Sequence, residues 1–164
     1  MTPLGAVIRG ALAGAAGTAA LDAYQYVRYR AGGGSSPPLT WEFTVPEDWA
    51  KVSAPGQVGC RLIEGFTRKK LSPRWAPLVN NVMHWGYGVG NAVAYGIVVG
   101  SLRRPRVGYG LPFGVTVWLS GYALLPLSMI YKPIWEYDAK TLADDLGGHL
   151  VFGAVTAATF AALS

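Results

Sequence analysis

Four stretches of this chain each contain about 20 mostly apolar residues, the length needed to carry a helix across the hydrocarbon of a bilayer. They are residues 4–27, 76–101, 107–131 and 141–163. This spacing leaves little room for a soluble core and predicts an all-α fold, an integral membrane four-helix bundle occupying residues 1–164 as a single membrane domain. Composition agrees: 51% of the residues are hydrophobic, 14% are charged, and the mean hydropathy is +0.27. That is too apolar for a soluble domain of this size. The first apolar run starts next to Met1 and contains Arg9, as a signal peptide would. It is too long for one, however, and continues to Asp22 without a small-residue cleavage site followed by a polar domain.

The long polar loop, residues 28–75, opens with AGGGSSPP at 31–38, where glycine freedom and proline stiffness exclude a helix and indicate a linker. Beyond it, PGQVGCRLIEGFTRKK sets Val58, Leu62, Ile63 and Phe66 on one helical face, with Arg61, Glu64, Arg68, Lys69 and Lys70 mostly elsewhere. This predicts an amphipathic interfacial helix in the first loop, lying either on lipid headgroups or over the mouth of the bundle. Trp41, Trp49, Trp75 and Trp135 fall near the ends of spans, where indole rings favour the membrane interface. The net charge is +5, but its Lys and Arg residues are scattered through loops and form no basic face. The expected counterpart is the lipid bilayer and not nucleic acid, with other membrane protein subunits as further candidate partners. Cys60 is the only cysteine and carries no thiol-redox or zinc spacing.

The stretch HWGYGVGNAVAYG, from His84, places a titratable ring among glycines and small residues, and the pattern recurs from His149 in HLVFGAVTAATFA. Aligned on the histidines, Asn80 matches Asp145, Tyr87 matches Phe152, Gly88 matches Gly153, Asn91 matches Thr156, Ala92 matches Ala157 and Tyr95 matches Phe160. These offsets all fall on one stripe of a helix. GALAG at 10–14 and GLPFG at 110–114 align as small-xxx-small patterns that let helices approach closely. Together they predict a tandem repeat of two transmembrane hairpins, related by an axis along the membrane normal.

Counting crossings places Asp22, His84, Asp144, Asp145 and His149 toward one side of the membrane. The opposite side holds Arg9, Arg103, Arg104 and Arg106 and no acid. The number of Lys and Arg residues favours a cytoplasmic long loop, with the compact RRPR turn opposing it. The RGALAG-type first span, the PP-containing loop with its amphipathic helix, the H-aromatic-G second span and the HLVFG fourth span resemble small bacterial inner-membrane proteins of the YagU-like kind. That resemblance implies a multi-pass cell-membrane protein of the bacterial cytoplasmic membrane with four spans and no defined reaction. It assigns no site residue.

Three readings remain for the histidines. They can hydrogen-bond across the bundle to Asn80, Asn91, Thr156 or tyrosine hydroxyls and fix helix register, at on the order of 0.6 kcal/mol per bond. They can ligate a b-type haem from facing helices, with Gly86, Gly88, Gly90 and Gly153 giving room and Arg28 and Arg74 pairing the propionates. Or His84, His149, Asp145 and Asp22 can form an ion, proton or divalent-metal site, since Asp145 precedes His149 by one turn. Asp144 and Asp145 also suit the first turn of a helix. No nucleophile, metalloprotease or phosphate-loop motif is present, and Glu47, Glu136 and Asp138 read as loop charge. The expected function is that of a non-enzymatic accessory or assembly component of the membrane, with haem electron transfer and small-ion transport as the alternatives.

Overall fold

The computed structural model describes every residue except Glu47 and residues 103–106, so the expected RRPR turn and the Glu47 loop charge lie outside the described residues. Six α-helices follow one another: α1 (Pro3–Ala31), α2 (Pro38–Phe43), α3 (Ala54–Thr67), α4 (Ala76–Gly100), α5 (Gly110–Leu124) and α6 (Ala139–Ala162). Among the described residues there is no strand.

Local chemistry sets the helix ends. Thr2 caps α1 by accepting the Gly5 N–H at 3.2 Å, Pro3 occupies the first turn where its missing N–H costs nothing, and Arg28 and Arg30 complement the dipole in the last turn. Asp138 caps α6 in the same way, taking the Thr141 N–H at 2.9 Å and its hydroxyl at 2.6 Å. Glu136 lies in the short 3₁₀ turn Ile134–Glu136 just before it.

Two boundaries differ from the sequence expectation. The third apolar window stops being α-helical at Leu124, because Pro126 has no N–H for the ladder. The chain then passes through a 3₁₀ turn, Pro126–Ser128, and a left-handed Met129 at φ 52°. In the loop, Pro38 does not end order but begins α2, as proline at a first helical position is free to do.

The bundle is an up-down arrangement in which α1 packs between α4 and α6, and α5 packs on the other side of α6. Backbone proximity at two crossings depends on glycine. A Cβ on Gly10 would lie 2.8 Å from the Ala92 carbonyl oxygen, and one on Gly14 would lie 2.9 Å from Val89 Cα. A Cβ on Gly110 would reach Ala157 Cβ at 2.8 Å, one on Gly114 would reach the His149 carbonyl carbon at 3.0 Å, and one on Gly153 would reach Gly114 Cα at 2.9 Å. Between α4 and α5 the gap is filled by rings instead: Tyr95 stacks on Phe113 at 4.6 Å, and the Tyr87 hydroxyl meets the Ser120 hydroxyl at 2.7 Å.

At the α1–α4 and α5–α6 crossings the contact residues are small, while Phe152, Phe160, Tyr95 and Tyr122 fill the core between them and many Leu, Ile and Val side chains lie outside. Ala6, Gly10, Ala13, Gly14 and Gly17 of α1 are buried, whereas Leu4, Val7, Ile8 and Leu12 point outward, Leu4 being 69% exposed. Val82, Ile97 and Val98 of α4 and Leu111, Leu119 and Leu124 of α5 are exposed likewise. Two helical stretches, Pro3–Ala31 and Val107–Ser128, are long and apolar enough to cross a membrane. The other two long helices match them in length but are interrupted by Asn80, Asn81, His84 and Asn91 in α4, and by Asp144, Asp145 and His149 in α6.

The amphipathic α3 packs on α4 through its smallest residues. Gly56, Gly59 and Cys60 are buried against Val79, Asn80 and Met83, while Leu62, Ile63 and Phe66 point away, Phe66 being 87% exposed. Asn80 fixes this docking: its Oδ1 accepts the Gly56 N–H at 3.1 Å and the Ser53 hydroxyl at 2.5 Å.

Candidate functional site

A short polar contact joins α1 to α4. His84 Nε2–H donates to Asp22 Oδ1 at 2.6 Å, with the two side chains 21% and 16% exposed. The local packing explains why they meet. One turn before Asp22, Thr18 sits against Gly88, which is one turn after His84, and the missing Cβ of Gly88 lets the helices close at that level. The imidazole and carboxylate are thus presented to one another half-buried, where a hydrogen bond of this kind is stronger than in full solvent.

A third titratable group approaches from the loop. Tyr26 and Tyr29 of α1 pack against Trp41 of α2 at 5.4 and 6.0 Å, the Tyr26 hydroxyl donates to the Ser36 carbonyl at 3.1 Å, and the Tyr29 hydroxyl accepts the Ser36 N–H at 3.1 Å. This clasp lays α2 against the end of α1, so that Glu42 lines the same groove as Asp22. Burial, and next the charge of Asp22, push the Glu42 carboxyl above the ordinary carboxylate range, while His84 opposes the shift. Among the described residues no side chain pairs with Glu42. Between α1, α2 and α4 lies an open groove of about 580 Å³, walled by Tyr26, Trp41 and Trp85 and reached by Asp22, Glu42 and Asn81.

The second histidine is held differently. His149 Nδ1–H donates to the Asp145 carbonyl one turn earlier at 2.9 Å, with the Asp145 carboxylate 3.6 Å away. Neighbouring Asp144 is neutralised by Arg28 of α1 and by Lys140 at 2.8 Å, and Tyr24 donates to its carbonyl at 3.4 Å. Asp144 and Asp145 belong to the second turn of α6, beyond the reach of the N-terminal dipole, so the first-turn reading does not hold for them. Asp138 is the residue placed to serve α6 in that way. Tyr122, Tyr131 and Tyr137 form a ring cluster close by, with centroids 5.3 to 6.1 Å apart.

The four expected site residues are therefore divided into two pairs, Asp22 with His84 and Asp145 with His149. They do not converge as a divalent-metal set, and among the described residues no three His, Cys, Asp or Glu side chains come together to hold a metal. The physical reason is the position of α1. It runs between α4 and α6, so each histidine meets the acid nearest to it and not the other histidine's partner.

Two of the glycines expected to give a b-type haem room are closely packed. Gly88 is covered by Thr18 and by Phe152, Gly153 lies on the backbone of Gly110 and Gly114, and Arg28 is engaged by Asp144. Gly86 and Gly90 do face open space. Nor do the histidines use the neutral partners expected for cross-bundle bonds: Asn80 holds α3, Asn91 donates to the Tyr87 carbonyl on its own helix at 2.9 Å, and the Thr156 hydroxyl is buried without a partner.

Glu42, Tyr26 and Trp85 were missed from sequence. The available signal was the PPLTWEF run, in which a proline at a helix start precedes an aromatic and an acid. Comparison with models of known families, with curated proteins and with solved structures finds no match.

Proposed function

We propose that this chain is a multi-pass protein of the cell membrane with four spans, α1, α4, α5 and α6. It acts as an accessory or assembly component by holding a polar His/Asp site inside the bundle and does not catalyse a reaction. The observation that carries this reading is the Asp22–His84 contact, a 2.6 Å bond between two helices whose outer faces are otherwise apolar. Ionisable groups inside a span are costly, and where they persist they face the bundle and mark a site of action. The distribution of side-chain size supports the membrane setting. A soluble bundle buries its large apolar residues, whereas helices in lipid associate through small residues and leave Leu, Ile and Val to the acyl chains.

In this reading α3 lies at the interface, its glycine face on α4 and its Leu62, Ile63 and Phe66 face in lipid. The resemblance to YagU-like proteins would place the molecule in the bacterial cytoplasmic membrane. The matched crossings of GALAG on α4 and of GLPFG on α6 support a tandem duplication of one hairpin.

Two measurements test the proposal. Reporter fusions at the N- and C-termini are expected to report the same side of the membrane, and opposite sides would exclude four spans. Nitrogen-15 spectra of the purified protein are expected to show a strongly hydrogen-bonded Nε2 at His84 that changes in Asp22→Asn while His149 does not. An unchanged His84 signal would remove the site.

A further inference from the structure

We infer that the groove between α1, α2 and α4 is a binding site for a small soluble organic cation, an amine or quaternary ammonium carrying apolar substituents. The inference rests on the membrane reading above and names the ligand class of the same Asp22–His84 site. Three features of the groove converge on that chemistry. Its volume of about 580 Å³ lies within the range of pockets that enclose small organic ligands. Its walls are aromatic, with Trp41 and Tyr26 on one side and Trp85 on the other, and their ring faces attract a positive centre through the quadrupole. Its charge is negative: Asp22 and Glu42 both line it, and neither Lys nor Arg does.

The second pocket of the molecule makes the contrast. That space, of about 320 Å³, is lined by Arg28 as well as Asp144 and Asp145, and Arg28 and Lys140 already neutralise Asp144. In the α1–α2–α4 groove no such cation is built in. His84 occupies one oxygen of Asp22, and among the described residues no side chain takes the other. Glu42 has no partner at all among the described residues, which leaves an acid in an aromatic setting to be matched by a ligand.

Of the remaining lining, Ala19, Ala23, Pro38, Leu39 and Phe43 suit apolar arms around the charged centre, and the Asn81 amide donates to the Pro77 carbonyl on its own helix at 3.0 Å. The groove is walled in part by α2, which belongs to the polar loop between the first two spans of the membrane reading. That position favours a soluble cation over a lipid headgroup.

The test is equilibrium binding to the full chain in detergent at pH 8, with benzyltrimethylammonium as the probe and the fluorescence of tryptophan as the readout. The expected result is saturable binding that Glu42→Gln and Trp85→Leu each weaken by roughly five- to thirty-fold, the range expected from losing one partner of a desolvated cation. Benzenesulfonate, of similar size and opposite charge, is expected not to bind. Glu42→Gln removes charge from a side chain that holds nothing else, so its effect is independent of folding.

Absence of saturable binding, equal binding of benzenesulfonate, or an affinity indifferent to both substitutions would overturn the inference. Loss of probe binding in phosphatidylethanolamine nanodiscs, with retention in phosphatidylglycerol ones, would assign the groove to a lipid ammonium and overturn the soluble-cation choice. Failure of binding with both termini on one side and the His84 signal intact would remove this inference alone. Termini on opposite sides would remove the membrane reading beneath it.

Discussion

Substituting Gly153 by alanine tests whether the α5–α6 crossing is set by backbone contact. A Cβ at this position would lie 2.7 Å from Gly114 N and 2.9 Å from Gly114 Cα, and would also meet the Gly110 carbonyl oxygen. Ordinary carbon contacts fall at about 3.5–4.0 Å, so the helices must separate by roughly 1 Å locally. Every atom involved is backbone, and no rotamer change relieves the clash. Insertion of a methyl group into such a contact costs about 1–3 kcal/mol. Alanine's better helix propensity returns about 1 kcal/mol, which leaves a net loss of up to about 2 kcal/mol.

Gly90→Ala is the matched control. Nothing lies within 4 Å of its added Cβ, so only the propensity gain remains and the variant is expected to be as stable as the parent or slightly more so. Unfolding of both variants by SDS titration in mixed micelles, followed by circular dichroism, gives the comparison. If Gly153→Ala and Gly90→Ala shift the midpoint in the same direction by similar amounts, the close approach of α5 and α6 does not exist as described.

Three further outcomes are expected. A double-mutant cycle on Asp22→Ala and His84→Ala should return a coupling of about 1–3 kcal/mol, as for hydrogen bonds to charged groups, and additive single effects would dissolve the pair. Thr18→Val and Thr156→Val should be neutral or stabilising in the same titration, because each removes a buried hydroxyl without a partner while keeping the side-chain shape; a loss above about 1 kcal/mol in either would mean that its hydroxyl is satisfied. Asp138 is held below the ordinary carboxylate range by donation from the Thr141 hydroxyl and N–H, so its stabilisation is fully present above the unfolded value near pH 4 and is lost as the pH falls through the lower folded value. Stability measured from pH 7 down to pH 2 should therefore decline less in Asp138→Asn than in the parent, and parallel curves would contradict the cap.

The helices were legible from sequence because the signals for them are local. An uninterrupted apolar run after Thr2 and Pro3 specifies α1 through capping and length alone, and the spacing of Val58, Leu62, Ile63 and Phe66 specifies α3. The alternation of the four long helices likewise brings Asp22, His84, Asp145 and His149 to one end before any contact is known. Which of them touch is a matter of tertiary structure. Pairing depends on the rotation of each helix about its axis and on which helix lies in the middle, and neither quantity has a local signature.

The glycines carry this division most clearly. GALAG, GLPFG and the glycines after the histidines announce close packing, but the same motif leaves Gly88 and Gly153 buried at crossings and Gly86 and Gly90 facing open space. Asn80 shows it too: aligned with Asp145 when the two histidine stretches are compared, it is taken up by the backbone of α3 because that loop helix docks beside it. The amino-acid sequence by itself determined the positions of the four long helices and of α3 and which end of them collects the polar groups, since those follow from apolar length, capping and helix order, while α2 and the end of α5 escaped it. Only the tertiary structure decided that α1 separates the histidines and that α2 brings Glu42 to Asp22, because long-range pairing is set by the sum of many weak packing contacts and not by any residue's own preference.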